Sequence, residues 1–241
     1  SENFTRRFLL TYPNEELPVG RRQKTTAIHD RLVARGACMG AAFGLEHALW
    51  FADSPEAAQE TPTLRRSEAF DHVAAEVHAV RHHVGAVEIA NYAKHEFTGP
   101  GARAFLDRLL AGRLPKPGRL SLTPMLTPKG KLYGDLTVAC LDEETFYLFG
   151  SGAAQEMHRR WIEQHLPDQG VAYRNRSDEL HGLAIAGPNA RELLSRITRE
   201  DVSQEAFKFR DIRPATVGAV PAILARISFS GELGYEIYCA A

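Results

Sequence analysis

Cysteine is scarce in this sequence, with three cysteines in 241 residues. Cys38, Cys140 and Cys239 are odd in number and far apart, so they suit neither a disulfide framework nor a C-x-x-C site. They are typical of buried thiols in a reducing compartment. The expected location is therefore the cytoplasm, or the mitochondrial matrix in a eukaryote.

Long apolar runs are also missing, and none approaches the length that spans a bilayer. The first ten residues, S-E-N-F-T-R-R-F-L-L, contain neither the apolar stretch nor the cleavage site of a secretory signal. The 30 acidic and 29 basic residues leave a net charge of -1, which offers no attraction to nucleic acid or to an anionic membrane. We expect neither as a partner.

The first 68 residues differ from the rest of the chain in composition. Segment 12–18 is rich in turn residues, and 52–63 is polar and proline-containing, as surface linkers are. A helix is expected over 25–35, ended by Gly36. Residues 1–68 are therefore interpreted as an arm that lies on something else, not as a self-contained domain.

One pattern then occurs twice. Segments 95–114 and 183–199 each contain a short strand, the motif G-P-x-A-R and an amphipathic helix, with Pro100 and Pro188 expected at the first helical position. The motif lacks the further glycines and the lysine of a phosphate loop. The agreement in pattern and spacing favours two related α+β units over two ordinary strand–helix turns.

The stretch 130–141, G-K-L-Y-G-D-L-T-V-A-C-L, places a carboxylate at the mouth of a strand. Its apolar residues alternate with period two, and with strand 121–126 it predicts a hairpin. Gly134, directly before Asp135, lets another group approach closely. Asp135 is thus a candidate catalytic residue. The alternative is a turn aspartate that bonds to its own backbone.

A second carboxylate lies near the end, where 226–238 predicts a strand, a turn fixed by glycine and a return strand. The segment that leads into it, 214–227, is expected to be mostly strand, broken at Gly218 and Pro221. On the return strand Glu236 faces one side, and Tyr235 and Ile237 face the other. With Phe229 across the turn, Glu236 could bind a flat heterocycle that carries adjacent N–H donors. The alternative is a surface glutamate on an edge strand.

A metal site is not expected. His78 and His82 lie four residues apart on a helix predicted to start near Ser67 and to end by Gly85, a spacing that can hold a metal. However, no glutamate-rich or cysteine partner occurs where a third ligand would be needed.

These motifs resemble those of one family, the aminomethyltransferases typified by the T-protein of glycine cleavage. S-F-S-G-E-L-G-Y-E-I-Y is similar to the family's R-x-G-Y-T-G-E-x-G-F-E-I pattern, and T-G-P-G-A-R-A-F-L-D-R-L-L and G-K-L-Y-G-D-L-T-V also match. The arm looks like the central segment of dimethylglycine and sarcosine dehydrogenases, which joins an FAD domain to a folate domain. The resemblance covers nearly the whole chain.

The resemblance implies that 69–241 is a folate-binding region of two intertwined units, each an antiparallel sheet with helices, and that the family's third, C-terminal barrel domain is absent. It implies tetrahydrofolate as the cofactor and FAD only in a missing N-terminal domain of the same protein. A one-carbon unit from a small N-methyl amine, or its iminium, would give 5,10-methylenetetrahydrofolate. By this resemblance, Asp135 corresponds to the family's key aspartate near folate N10, and Thr137 points to the same side. Glu236 corresponds to the residue that binds the pteridine edge. Phe229 lies where an aromatic ring of the family packs on the pterin.

The sequence also departs from the family. Gly134 replaces the first of two adjacent aspartates, Leu122 replaces a tyrosine, and Phe229 lacks a tyrosine's hydroxyl. There is no G-x-G-x-x-G dinucleotide motif, and the K-G-C-Y-x-G-Q-E signature of the iron–sulfur branch is missing. A non-catalytic folate-binding or docking module and a folate-dependent demethylase relative remain as alternatives. We expect the chain to be a piece of a larger enzyme.

Overall fold

The structure is a computed structural model that describes residues 2–13 and 15–241. Ser1 and Asn14 lie outside the described residues. Both belong to the predicted arm, and Asn14 also to its turn-rich segment. The contacts divide the chain into two compact units, Ser1–Arg81 and His82–Ala241. The boundary predicted after residue 68 stays a prediction.

The first unit is built around a β-hairpin with a small core. Trp50 packs with Cys38 and Ala52, and its indole N–H donates a hydrogen bond to Glu60 at 2.9 Å. The helix expected over 25–35 is shorter in the structure. The elements are α1 Glu2–Thr5, α2 His29–Ala34, β1 Ala37–Ala42, β2 Leu45–Phe51 and α3 Ala69–His82.

The second unit contains ten strands and three α-helices within His82–Ala241. The strands are β3 Gly85–Glu88, β4 Tyr92–Thr98, β5 Arg119–Leu126, β6 Leu132–Cys140, β7 Thr145–Ser151, β8 Ala172–Asn175, β9 Leu180–Ala186, β10 Ile212–Val217, β11 Val220–Ala225 and β12 Gly234–Ala240. The helices are α4 Ala102–Leu109, α5 Gln155–His165 and α6 Ala190–Ile197.

The ten strands form two antiparallel sheets. Sheet I has the order β5-β6-β7-β4-β8, and sheet II has the order β10-β11-β12-β9-β3. Because β3 joins sheet II before the chain builds sheet I, and β9 to β12 then return to sheet II, the second unit consists of two intertwined halves, each a sheet with its helices. The predicted α+β fold of two related antiparallel units is therefore confirmed.

Each sheet has one face covered by helices and one face turned to the other sheet. Helices α4 and α5 cover the outer face of sheet I, where Leu106, Leu136 and Ile162 share one core. Helix α6 covers the outer face of sheet II. Residues from both inner faces, among them Phe149 and Tyr238, form a further core. Each fully buried large apolar side chain contributes about 1.5–3 kcal/mol to this packing.

The repeated motif forms the same turn in both halves of the second unit. Gly99 and Gly187 have φ angles of 115° and 126°, which favour glycine, and each glycine carbonyl accepts a hydrogen bond from the amide three residues on at 3.0 Å. Pro100 and Pro188 lie two residues before α4 and α6. The expectation that they occupy the first helical position is wrong, because this glycine turn comes before the helix.

The segment expected as a broken strand over 214–227 forms β10 and β11. The predicted break at Gly218 is confirmed, since Gly218 lies in the turn between them with a φ of 61°. The break predicted at Pro221 is wrong, because β11 runs through it. The pairing with β12 begins only at Ala222, so that ladder does not need the N–H that proline lacks.

Candidate active site between the two sheets

Asp135 lies on the inner face of sheet I, near the start of β6. Gly134 and Leu136 on either side are buried towards the helices, whereas Asp135 is exposed and Thr137 is half-buried. The predicted alternation, with Asp135 and Thr137 on one face, is therefore confirmed. Among the described residues the Asp135 carboxylate has no hydrogen bond or ion pair. The alternative of a turn aspartate bonded to its own backbone does not match the structure.

Strand register shows which residues share the end of the sheet with Asp135. Thr137 is opposite Phe149 in the pairing of β6 with β7, so Asp135 aligns with Ser151, two residues further along β7. Ser151 is in turn opposite Tyr92 on β4. The row from Asp135 to Tyr92 crosses two strand spacings, which is roughly 10 Å.

Glu236 lies on the inner face of sheet II, in β12. Tyr235 and Ile237 point into the core beneath α6, as predicted. The hydroxyl of Tyr238 donates a hydrogen bond to Glu236 Oε2 at 2.7 Å. Burial raises the pKa of Glu236, and the bond from Tyr238 opposes that rise. The Glu236 charge also raises the pKa of Tyr92, for which burial is the larger cause.

An aromatic stack joins the two inner faces beside these carboxylates. The rings of Phe149 and Tyr238 lie 4.4 Å apart between centroids at an angle of 17°. The Glu236 charge raises the pKa of Tyr92, and Tyr92 shares the row of Asp135, so we infer that both carboxylates lie on the same side of this stack. We call this region the inter-sheet cleft. Its residues are Tyr92, Asp135, Thr137 and Glu236, with Phe149 and Tyr238 as its floor.

Phe229 lies in a loop and is 97% exposed. The strand expected to precede the turn of 226–238 ends at Ala225, so that expectation is corrected. Arg226 turns inward and donates to the carbonyl of Phe207 at 2.5 Å. The loop folds onto the start of β12, since Ser228 donates to the carbonyl of Glu232 at 2.6 Å. Contact of the exposed Phe229 ring with a ligand stays a prediction.

Three residues of the cleft were not singled out from the sequence. Tyr238 carries a local signal, because it lies two residues after Glu236 and so on the same face of the strand. Phe149 and Tyr92 carry no such signal, because their places depend on strand pairing. Leu122, where a relative would have tyrosine, is opposite Thr137 and adds an exposed apolar side chain.

Other features of the described chain lie elsewhere. A cavity of about 240 Å³ between α4, α5 and the β5–β6 turn is lined partly by Phe105 and Trp161, and these residues lie on the helix-covered face of sheet I. In the part of the chain that the structure describes, no group of three or more His, Cys, Asp or Glu residues could hold a metal ion. No helix of this part is long and apolar enough to cross a membrane.

Comparison with known proteins gives a consistent result. The family model described as "GCVT N-terminal domain" matches residues 28–241. Mitochondrial dimethylglycine dehydrogenase of Homo sapiens is 36% identical over 234 residues, which cover 95% of this chain and 27% of that protein. An aminomethyltransferase of Chloroherpeton thalassium is 31% identical over 173 residues, which cover 71% of this chain and 47% of that protein.

The fold is shared with solved structures. One of them is the glycine cleavage system aminomethyltransferase T from Bartonella henselae, with a TM-score of 0.73 and 20% identity over 90% of this chain and 54% of that chain. At this identity the likeness concerns the fold alone. The chain spans about a quarter of the dehydrogenase that it matches and about half of the aminomethyltransferases.

Proposed function

The chain belongs to the GCVT N-terminal domain family, and from this we propose that it is the tetrahydrofolate-binding, one-carbon-transfer portion of an FAD-dependent N-methyl amine dehydrogenase. Its relatives include dimethylglycine dehydrogenase and aminomethyltransferases. The chain spans 27% of the human dehydrogenase, so the FAD domain would lie in another part of the same protein. The proposed amine is dimethylglycine or sarcosine, and the proposed product is 5,10-methylenetetrahydrofolate.

The observation that carries this proposal is the pair of carboxylates in the inter-sheet cleft. Asp135 has no partner among the described residues, and Glu236 is bonded through Oε2 to Tyr238. The other oxygen of Glu236, Oε1, has no hydrogen bond within the described chain. A carboxylate oxygen beside a tyrosine–phenylalanine stack suits the N–H edge and the flat face of a pterin. These features support the binding of a reduced folate at the inter-sheet cleft.

Each residue would have a distinct task. The folate, when bound, supplies the nitrogen that takes up the one-carbon unit. Glu236 would hold the pterin edge, and Phe229 would pack on its face. Asp135 would lie towards the other end of the ligand and take the proton from the reacting nitrogen, which requires a carboxylate within hydrogen-bond reach. Thr137 points to the same side of β6 and would help to bind the folate beside Asp135.

A non-catalytic folate-binding or docking module is the second candidate. It is favoured by one observation, the single carboxylate on β6, since Gly134 stands where the resembling family has a first aspartate. The two functions differ in what Asp135 does. In a docking module the chain has no transfer rate above the background and the carboxylate has no chemical task, so its loss leaves folate binding unchanged.

The test is isothermal titration of the chain with 5-formyltetrahydrofolate, paired with a rate assay. In the assay, formaldehyde and sarcosine supply the iminium, and formation of 5,10-methylenetetrahydrofolate is measured above the uncatalysed background. Asp135→Asn should keep binding and lose the rate. Asp107→Asn, an exposed aspartate on α4, is the matched control and should change neither.

The outcomes separate the candidates. Binding with no rate above the background in the wild-type chain supports the docking module. A rate that survives Asp135→Asn contradicts the docking module and removes Asp135 from the mechanism. Absence of binding by a folded chain contradicts both candidates for these residues.

A further inference from the structure

The strand that carries Asp135 is irregular directly before it. In the pairing of β5 with β6, Met125 is opposite Gly134, but the next residue, Leu126, is opposite Leu132. Tyr133 is therefore an extra residue, a β-bulge. Bulges redirect the neighbouring side chains and increase the local twist of the strand. The direction of Asp135, two residues later, thus depends on how this bulge is held.

A buried histidine holds the bulge. His158 of α5 is 2% exposed, and its Nε2 atom lies 3.2 Å from the carbonyl oxygen of Tyr133. Because a carbonyl only accepts hydrogen bonds, Nε2 must carry the proton. The other ring nitrogen, Nδ1, is buried without a hydrogen bond in the described chain. The ring therefore makes one directed bond, to the bulged residue.

Gly134 is the residue that allows the ring to approach. A Cβ atom at this position would lie 2.8 Å from His158 Nε2, closer than such contacts occur, and at a tight 3.3 Å from His158 Cε1. The imidazole thus takes the space that a side chain would fill. Gly150 on β7 faces the same ring, since a Cβ there would lie 3.6 Å from Nδ1.

The surroundings of His158 keep it in this arrangement. His95 lies edge-on to it at 6.5 Å between ring centroids, and His95 Nδ1 is 2.9 Å from the hydroxyl of Tyr173. Burial lowers the pKa of both histidines. Both rings are therefore neutral at pH 7, which agrees with a single donor aimed at Tyr133.

We propose that His158 is a positioning residue for Asp135. Its Nε2–H holds the carbonyl of Tyr133 and its ring fills the space beside Gly134, which fixes the direction of the Asp135 carboxylate in the inter-sheet cleft. This inference rests on the proposed one-carbon transfer and deepens it. It also explains why a residue without a side chain precedes the proposed catalytic aspartate.

Two variants test the proposal through the rate assay described above. His158→Leu keeps an apolar side chain in the space but removes the N–H that holds the carbonyl of Tyr133. The Asp135 carboxylate should then shift, and a misplacement of about 1 Å costs on the order of 10²-fold in rate. We expect that loss in kcat with little change in the dissociation constant for 5-formyltetrahydrofolate. His158→Gln returns an N–H near the former Nε2 and should restore most of the rate.

Two further variants distinguish positioning from general stability. Ile162→Val changes a fully buried residue one turn further along α5. It should lower the melting temperature while keeping kcat. The double variant His158→Leu/Asp135→Asn should be no slower than Asp135→Asn alone, because both changes remove the same contribution. An unchanged kcat in folded His158→Leu, or additive losses, would overturn the proposal.

A second readout does not depend on turnover. In chains labelled with ¹³C-aspartate, the carboxyl signal of Asp135 is assigned by its absence in Asp135→Asn. His158→Leu should move this signal, and Ile162→Val should not. If the wild-type chain neither binds folate nor forms product, the proposed function fails, and this comparison still decides the positioning role. An unmoved signal contradicts that role directly.

Discussion

Tyr238 stacks on Phe149 with 4.4 Å between ring centroids, and its hydroxyl donates a hydrogen bond to Glu236 at 2.7 Å. One side chain therefore joins the two sheets and also holds the carboxylate proposed to bind the pterin. The stack fixes the ring, so the hydroxyl reaches Glu236 in one orientation. This relationship makes the effects of the ring and of the hydroxyl separable by mutation.

Tyr238→Phe keeps the ring and removes the donor. The bond from Tyr238 lowers the pKa of Glu236 against the effect of burial, so its loss should raise that pKa further. We also expect the free energy of unfolding to fall by about 1–3 kcal/mol, because a buried acceptor loses its partner. An NMR titration of Glu236 and urea unfolding measure the two effects. An unaltered pKa of Glu236 would mean that the bond is not formed in solution.

Glu236→Gln should weaken binding of 5-formyltetrahydrofolate by about 1.5–3 kcal/mol, the contribution of hydrogen bonds to a charged group. That corresponds to roughly a 10- to 150-fold increase in the dissociation constant, measured by isothermal titration. Glu205→Gln is the matched control, since Glu205 is exposed in a loop. Equal dissociation constants for the two variants would place the pterin outside the inter-sheet cleft.

The sequence was sufficient to predict to which side of its strand each carboxylate points, but not that both belong to one cleft. Alternation along a strand gives the side to which Asp135 or Glu236 points, because successive side chains face opposite ways. Their common cleft depends on the pairing of Thr137 with Phe149 and on the stack of Phe149 with Tyr238. The contact of Phe149 with Tyr238 joins residues far apart in the chain, and no local pattern encodes it.

The incorrect predictions also concern features that depend on strand pairing. Pro221 was expected to break a strand. The strand continues because its pairing with β12 begins only at Ala222, so no hydrogen bond to β12 requires the N–H that Pro221 lacks. The strand expected to reach Ile227 ends at Ala225 because its partner β10 begins only at Ile212, the residue opposite Ala225. His158 gave no signal at all, because its importance depends on a bulge that only the pairing of two strands produces.

Gly134→Ala should disturb the site without straining the backbone. Gly134 is not among the residues with positive φ, so the expected damage comes from the 2.8 Å approach of a Cβ to His158 Nε2. Overpacking of this kind costs about 1–3 kcal/mol of unfolding free energy, and the transfer rate should fall as well. In the background of His158→Ala the same substitution should cost much less. Equal costs in both backgrounds would show that the two residues are not coupled.

Stability should fall in mild acid because of His95. This side chain is 0% exposed, and burial, followed by the nearby His158, lowers its pKa from 6.5 to about 4, with Glu156 opposing weakly. The unfolded chain therefore takes up the proton at a higher pH than the folded chain. The full stability is present above about pH 6.5 and declines towards pH 4, by roughly 3 kcal/mol at 1.36 kcal/mol per pKa unit.

The acid dependence is measured by urea unfolding between pH 7 and pH 4. His95→Gln, which cannot titrate, should show a smaller slope in this range. The remaining slope should include His158, whose pKa burial also lowers. Identical slopes for the wild type and for His95→Gln would contradict the assignment to His95.

Phe229→Ala should affect the ligand but not the fold. Because Phe229 is 97% exposed, the free energy of unfolding should change by no more than about 0.5 kcal/mol. Loss of the ring from the pterin face should cost about 0.5–1.5 kcal/mol of binding, measured with 5-formyltetrahydrofolate. Phe209→Ala is the matched control, because Phe209 is also exposed but lies towards the other end of β6. Its neighbour Arg210 accepts a hydrogen bond from the amide of Leu120, and Leu120 is opposite Ala139, four residues past Asp135. Weaker binding in Phe229→Ala alone would support the stacking role, whereas unchanged binding in both would remove Phe229 from the site.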